Sequence, residues 1–162
     1  MMKLLGAVLQ FVNLFAAALL AGGQLFCLKT LVSARKAWSP EFGTKVHQDA
    51  MTVRPDVYMK KAAAAATFTG FAVAGLDFMA QGQPVIGGLM LLGSLGQVAN
   101  IYISARWEWP INQEINSWTN GPVLDRYPLV RDTWDEKHAW RTMASTLALI
   151  CFTAAAVLRQ RP

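Results

Sequence analysis

The sequence predicts an all-α fold: an antiparallel bundle of four transmembrane helices, with a partly helical cap built by two long loops on one side. Three observations predict it. Only 15% of the 162 residues are charged, against about 25% in ordinary soluble domains. The charges cluster, leaving uncharged runs at 4–28, 62–76, 78–105 and 142–158. No strand-like alternation breaks these runs, and lipid offers no partner for backbone N–H and C=O groups, so helix is the state that can cross it. The expected spans are 4–28, 62–80, 84–105 and 140–158, within one domain covering 1–162. At 1.5 Å per residue each supplies most or all of the roughly 30 Å of a hydrocarbon core. A soluble bundle of unusually apolar helices is the competing fold.

The first run stays apolar for 25 residues, longer than the roughly 7–15 of a signal-peptide centre, so it reads as a retained helix. Phe26 before Cys27 is too large for a lipoprotein-type cleavage site. Gln10, Asn13, Ala17, Ala21 and Gln24 recur at helical spacing within this run. Thr67, Gly70, Ala74 and Asp77 do so in the second, and Gly93, Gly96, Gln97, Asn100 and Ser104 in the third. Small residues let helices approach closely and amides bond across them, so these stripes read as helix–helix contacts. Asp77, near the Gly82–Pro84 turn, reads as a solvated helix end. Cys27 and Cys151 belong to no CxxC or ligand motif and read as buried free thiols.

Antiparallel threading puts residues 29–61 and 106–141 on one side of the membrane. Every Trp, Tyr and His lies in or beside these two connections. An interfacial aromatic belt decorates both surfaces, so this one-sidedness implies a structured cap. Twelve of the 15 Lys and Arg residues also lie there, which places the long loops in the cytoplasm by the positive-inside rule. The net charge of +5 reads as membrane-flanking; no segment interleaves a basic run with aromatics, so no nucleic-acid partner is expected.

In the second connection, Pro110 suits the first turn of a helix. Ile111, Ile115 and Trp118 then form an apolar face and Asn112 and Asn116 a polar one, which predicts a short amphipathic helix ended by Asn120-Gly121-Pro122. Pro128 begins a second helix that runs outward from the fourth span by about three turns. One of its faces carries Trp134, His138 and Arg141, while Arg131 and Asp135 are spaced to pair at i,i+4. His47 reads as a surface residue.

Pro110-Ile111-Asn112, followed by Trp134-xxx-His138-xx-Arg141-Thr142 and an apolar last helix, resembles the anthrone oxygenase-like family of small four-helix membrane proteins, many of them without an assigned function. The resemblance covers most of the chain in topology and its second half in motifs. Members with known chemistry oxidise a polycyclic phenolic anthrone to a quinone with molecular oxygen and have no established redox cofactor. The resemblance therefore implies an oxidoreductase acting on a lipid-soluble polycyclic or phenolic aromatic.

The residues are suited to that chemistry. His138 can abstract a proton from an acidic C–H, since an unperturbed imidazole has a pKa of about 6.5. Arg141 and Asn112 can hold the resulting oxyanion, and Trp134, Trp118 and Asn116 can line the aromatic. In the structural alternative, His138 bonds to Asn112, Arg141 reaches lipid phosphates and the tryptophans anchor the cap at the interface. No motif requires a cofactor. Haem on His138, or a metal on His47 and His138 with Asp49 or Glu114, is left open by the spacing.

The alternative function is a non-catalytic membrane subunit, or a binding module for a partner protein, pigment or lipid. A small transporter ranks third, because no charge lies near the middle of a span. Expected partners are the lipid bilayer, an apolar aromatic ligand, and a membrane-protein partner or second copy. An enzyme should bury His138 and Arg141 against a pocket of about 300 Å³ or more.

Overall fold

A computed structural model describes residues 2–51 and 54–160, and among them all regular structure is helical. Helix α1 (Met2–Phe26) continues through a π-helical turn, Cys27–Val32, into α2 (Ser33–Arg35). Helix α3 (Pro40–Val46) runs into a second π turn, His47–Met51, and α4 (Arg54–Met79) follows. Helix α5 (Pro84–Ile103) passes through a third π turn, Ser104–Glu108, into α6 (Trp109–Asn116), and α7 (Tyr127–Arg159) closes the chain.

Local chemistry sets these boundaries. Ser39 caps α3, its Oγ accepting from the Phe42 N–H at 3.3 Å, with Pro40 in the first turn. Proline also opens α5 and stands in the first turn of α7, where its missing N–H costs no intrahelical bond. The tight link between α4 and α5 turns at Gly82, whose φ of 61° is left-handed and favours a residue without Cβ.

The bundle closes as a ring: α1 packs on α4, α4 on α5, α5 on α7, and α7 back on α1. Its centre is made of small residues around one ring. Phe152 is fully buried among Ala16, Ala17, Ala66, Val73, Ala74, Met90 and Ala155. A Cβ at Gly93 would strike its ring, and one at Gly70 would meet Ser94 and the same ring. The outer surface is the reverse. Leu4, Phe11, Phe15, Phe68, Leu92, Leu95, Leu147 and Ile150 are all exposed, an apolar exterior that only lipid or another apolar partner stabilises.

Four helices are long and apolar enough to cross a membrane: Leu4–Arg35, Val57–Met79, Pro84–Asn116 and Tyr127–Arg159. All but the second run well past the expected spans. The extra turns are the scaffold of the cap, so the cap is continuous with the spans and is not a separate layer.

Two local expectations are corrected. Asp77 is fully buried: its carboxylate accepts from Arg159 Nη2 at 2.6 Å, and Arg159 also bonds Gln10. Burial alone would penalise that charge, and pairing with the guanidinium is what makes it tenable away from water. Arg131 bonds its neighbour Asp132, while Asp135 turns to the other face and pairs with Arg35 at 3.0 Å.

Candidate functional site

The three π turns lie at the cap end, and each delivers a side chain or a backbone group to the same region of α7. A π turn widens the helix by one residue and breaks the i→i−4 ladder, which frees groups that an α-helix would consume. The first turn leads into Arg35, and three residues before that turn the Gln24 carbonyl of α1 accepts from His138 Nε2 at 3.3 Å. The second supplies His47, and the third supplies Ser104 and Glu108.

Glu108 is the hub. Buried to 1% exposure, it faces His138 Nδ1 through Oε1 at 3.1 Å, while Oε2 accepts from Ser104 Oγ at 3.2 Å and from Arg141 Nη1. A buried carboxylate is tenable when it is paired and hydrogen-bonded, and Glu108 is bonded on both oxygens. His138 has an acceptor against each ring nitrogen, Glu108 on one side and Gln24 on the other. A ring so placed presents N–H groups, not a free lone pair.

Arg141 connects the hub to open space. Its Nη1 also donates to Ser104 Oγ at 3.3 Å. The Gln24 amide, with its oxygen toward the guanidinium, accepts from Arg141 Nε at 3.1 Å and Nη2 at 2.9 Å, and its nitrogen meets Ser145 Oγ. Arg141 and Ser104 then line a cleft of about 470 Å³ together with Met59, Lys60, Asn100 and Trp109. The mouth carries a cation as well, since Lys60 Nζ lies 4.3 Å above the Trp109 ring.

The sequence-predicted site residues divide between this cleft and a packed layer behind it. Trp134 is 4% exposed and stacks on His138 at 4.6 Å with 6° between planes, and the Arg35 guanidinium lies 4.9 Å over its ring. Its faces are occupied, so Trp134 holds the imidazole and is not a platform for a flat substrate. Trp118 is buried against Tyr127, Ile115 and Val130. Asn112 does not reach His138 or Arg141; its Oδ1 accepts from Trp134 Nε1 at 3.0 Å and meets His47 Nε2 at 3.0 Å. Asn116 is exposed on α6. Arg141 alone among the predicted residues reaches the cleft.

His47 lies in the interior of the cap, where a surface position is expected from the sequence. It is 1% exposed and set edge-on to Trp134 at 5.4 Å. Burial, and then the nearby positive charge of Arg35, lower its pKa to about 4. Because Trp134 can only donate to Asn112 Oδ1, that atom is an acceptor and His47 Nε2 carries the proton. Among the described residues no three of His, Cys, Asp and Glu gather in ligating position; Asp49 pairs with Lys45 and Glu114 with Arg126.

The sequence motifs alone do not mark Glu108, Ser104, Gln24 and Arg35 as site residues. Glu108 had a readable signal: it continues the polar stripe Gln97, Asn100, Ser104 by one more step of four. Compared with known protein families, curated proteins and solved structures, the chain has no match.

Proposed function

We propose that this protein is a multi-pass membrane oxygenase, with its cap in the cytoplasm, whose cleft takes a lipid-soluble phenolic or polycyclic aromatic and oxidises it with molecular oxygen. The observation that carries the reading is the Arg141 guanidinium and Ser104 hydroxyl lining an otherwise mostly apolar cleft, both bonded to a buried carboxylate. The cleft walls contributed by Met59, Ala63, Ala64, Ile101 and Trp109 suit a flat ring system arriving from lipid. The twelve basic residues of the long loops support the orientation.

In this reading the substrate's acidic proton passes through Ser104 to Glu108, and the oxygen left negative faces Arg141. Fixed donors aimed at a developing oxyanion are the largest single source of rate in many enzymes. His138, whose two nitrogens both face acceptors and so carry protons, has no lone pair to act as the base; it holds Glu108, whose oxygens keep further lone pairs. The electron-rich ring carbon then reduces oxygen. For an anthrone the balance is one CH₂ and one O₂ giving one C=O and one H₂O, with no further reductant.

The test uses protein in detergent micelles with anthrone, following oxygen uptake and quinone absorbance. Wild type is expected to turn over, and Arg141→Met to lose about 100-fold, the scale seen when an oxyanion donor is removed. Arg141→Lys, which keeps a charge for Glu108, separates lost chemistry from lost folding. Equal turnover by Arg141→Met, or no anthrone binding by wild type, overturns the proposal. Binding without oxygen uptake decides for the non-catalytic binding module.

A further inference from the structure

Arg35 is fully buried, and only part of its guanidinium is used. Nη1 donates to Asp135 Oδ1 at 3.0 Å, and the face lies over Trp134. Nε and Nη2 have no partner. These two N–H groups point the same way along one edge of the planar fork, the edge that binds a carboxylate or phosphate with two parallel bonds. An empty edge of this kind in a fully buried arginine is costly unless something occupies it, because each unmet charged donor carries its full desolvation penalty.

The surroundings define what fits. Asp135 Oδ2 is buried and unpaired. So is His47 Nδ1, which the Trp134–Asn112–His47 chain leaves as a lone pair while the ring is neutral. His47 and Arg35 share Trp134 as a neighbour. Thr44, about one helical turn before His47, and Tyr127, whose hydroxyl faces Gly43 next to Thr44, also carry buried hydroxyls without partners. This region therefore offers two fixed donors on one edge, two acceptors, and two hydroxyls able to do either.

A simple anion satisfies the fork but meets the Asp135 carboxylate unfavourably. An oxyanion that keeps an O–H satisfies both, giving two oxygens to Arg35 and a proton to Asp135 or His47. We propose that the buried edge of Arg35, with Asp135 and His47, is a binding site in the cap for a small protonated oxyanion of the bicarbonate or hydrogen phosphate class. It is separate from the Arg141 cleft, and Trp134 and His138 stand between them.

The test is a titration of the full-length protein in detergent at constant ionic strength with bicarbonate, phosphate and sulfate, read by calorimetry and by thermal unfolding. Sulfate is the control, because it has the charge and oxygens without a proton at neutral pH. Bicarbonate or phosphate is expected to bind and raise the melting temperature, and sulfate is not. Arg35→Lys, which keeps the charge and removes the fork, should weaken binding about tenfold, the equivalent of one charge-assisted hydrogen bond. Asp135→Asn keeps an acceptor for Arg35 and removes the repulsion, so it should admit sulfate. The proposal is overturned if neither protonated anion binds, so that water alone fills the region, if sulfate binds wild type as well as phosphate does, or if Arg35→Lys binds unchanged.

Discussion

Neither histidine has the surroundings that its sequence position suggests. His138 sits in the motif, where its position suggests proton abstraction, yet both its nitrogens face acceptors within the bundle. His47 lies in a stretch without helical patterning, which suggests a surface residue, yet it is buried with one nitrogen unpartnered. Sequence spacing shows which side chains share a helix face. It cannot show which group on another helix that face meets, and the partners here are 30 to 114 residues away. The fold-level consequence of the buried imidazole is a pH dependence. As pH falls through about 6.5 the unfolded chain takes up a proton that folded His47 refuses until about 4. Stability from this group is thus fully present above pH 6.5 and declines down to about 4, by about 3 kcal/mol in total. Asn112 and Glu108 oppose the shift, and Arg35 reinforces burial. Unfolding in detergent at pH 7, 5.5 and 4.5 should show this decline in wild type, and His47→Gln should flatten it; a profile identical in both would exclude His47 as its source.

At the scale of elements, the four spans were legible because each rests on a property summed over about 20 residues, which no single contact can reverse. The amphipathic α6 and the outward extension of α7 were also foreseen, from proline positions and helical spacing. The π turns were not, since one extra residue per turn leaves no compositional mark. Their effect is large all the same, because they carry Arg35, His47 and Glu108 to a common level against α7. Helix α3 packs against α7, and Gly43 makes a close contact there. Gly43 faces the Tyr127 hydroxyl at the start of α7, and a Cβ at 43 would overlap that oxygen. Gly43→Ala is therefore expected to destabilise the cap by about 1–3 kcal/mol, the usual range for overpacking. Tyr127→Phe removes the oxygen that the new methyl strikes but keeps the ring carbon Cζ at 2.9 Å, so the double variant should recover part of the loss. A double-mutant cycle with no coupling between the two positions would show that α3 docks on α7 by some other contact.

Across the whole molecule, charge is arranged at both ends of an apolar bundle, and only one end was recognised as polar. The cap end announced itself through its tryptophans, tyrosines and histidines. The other end offered one aspartate on α4 and, 82 residues further on, the first of two arginines that follow the last apolar run, and nothing local links them. The structure joins them as a clasp: Asp77, Arg159 and Gln10 tie α4, α7 and α1 together where the bundle has no cap. The Asp77 carboxylate is wholly buried and the Arg159 side chain is 19% exposed, so the pair has lost most of its hydration. Removing one partner should then cost far more than removing both. Asp77→Leu leaves a buried cation and Arg159→Leu a buried anion, and each is expected to lower stability by about 3–5 kcal/mol. The double leucine variant exchanges the pair for apolar contact and should come close to wild type, because the attraction between buried ions only roughly repays their desolvation. Thermal unfolding of the three variants in one detergent checks this. Single losses that simply add in the double variant would mean that Asp77 and Arg159 stabilise the bundle independently, and that its uncapped end is held by helix packing alone.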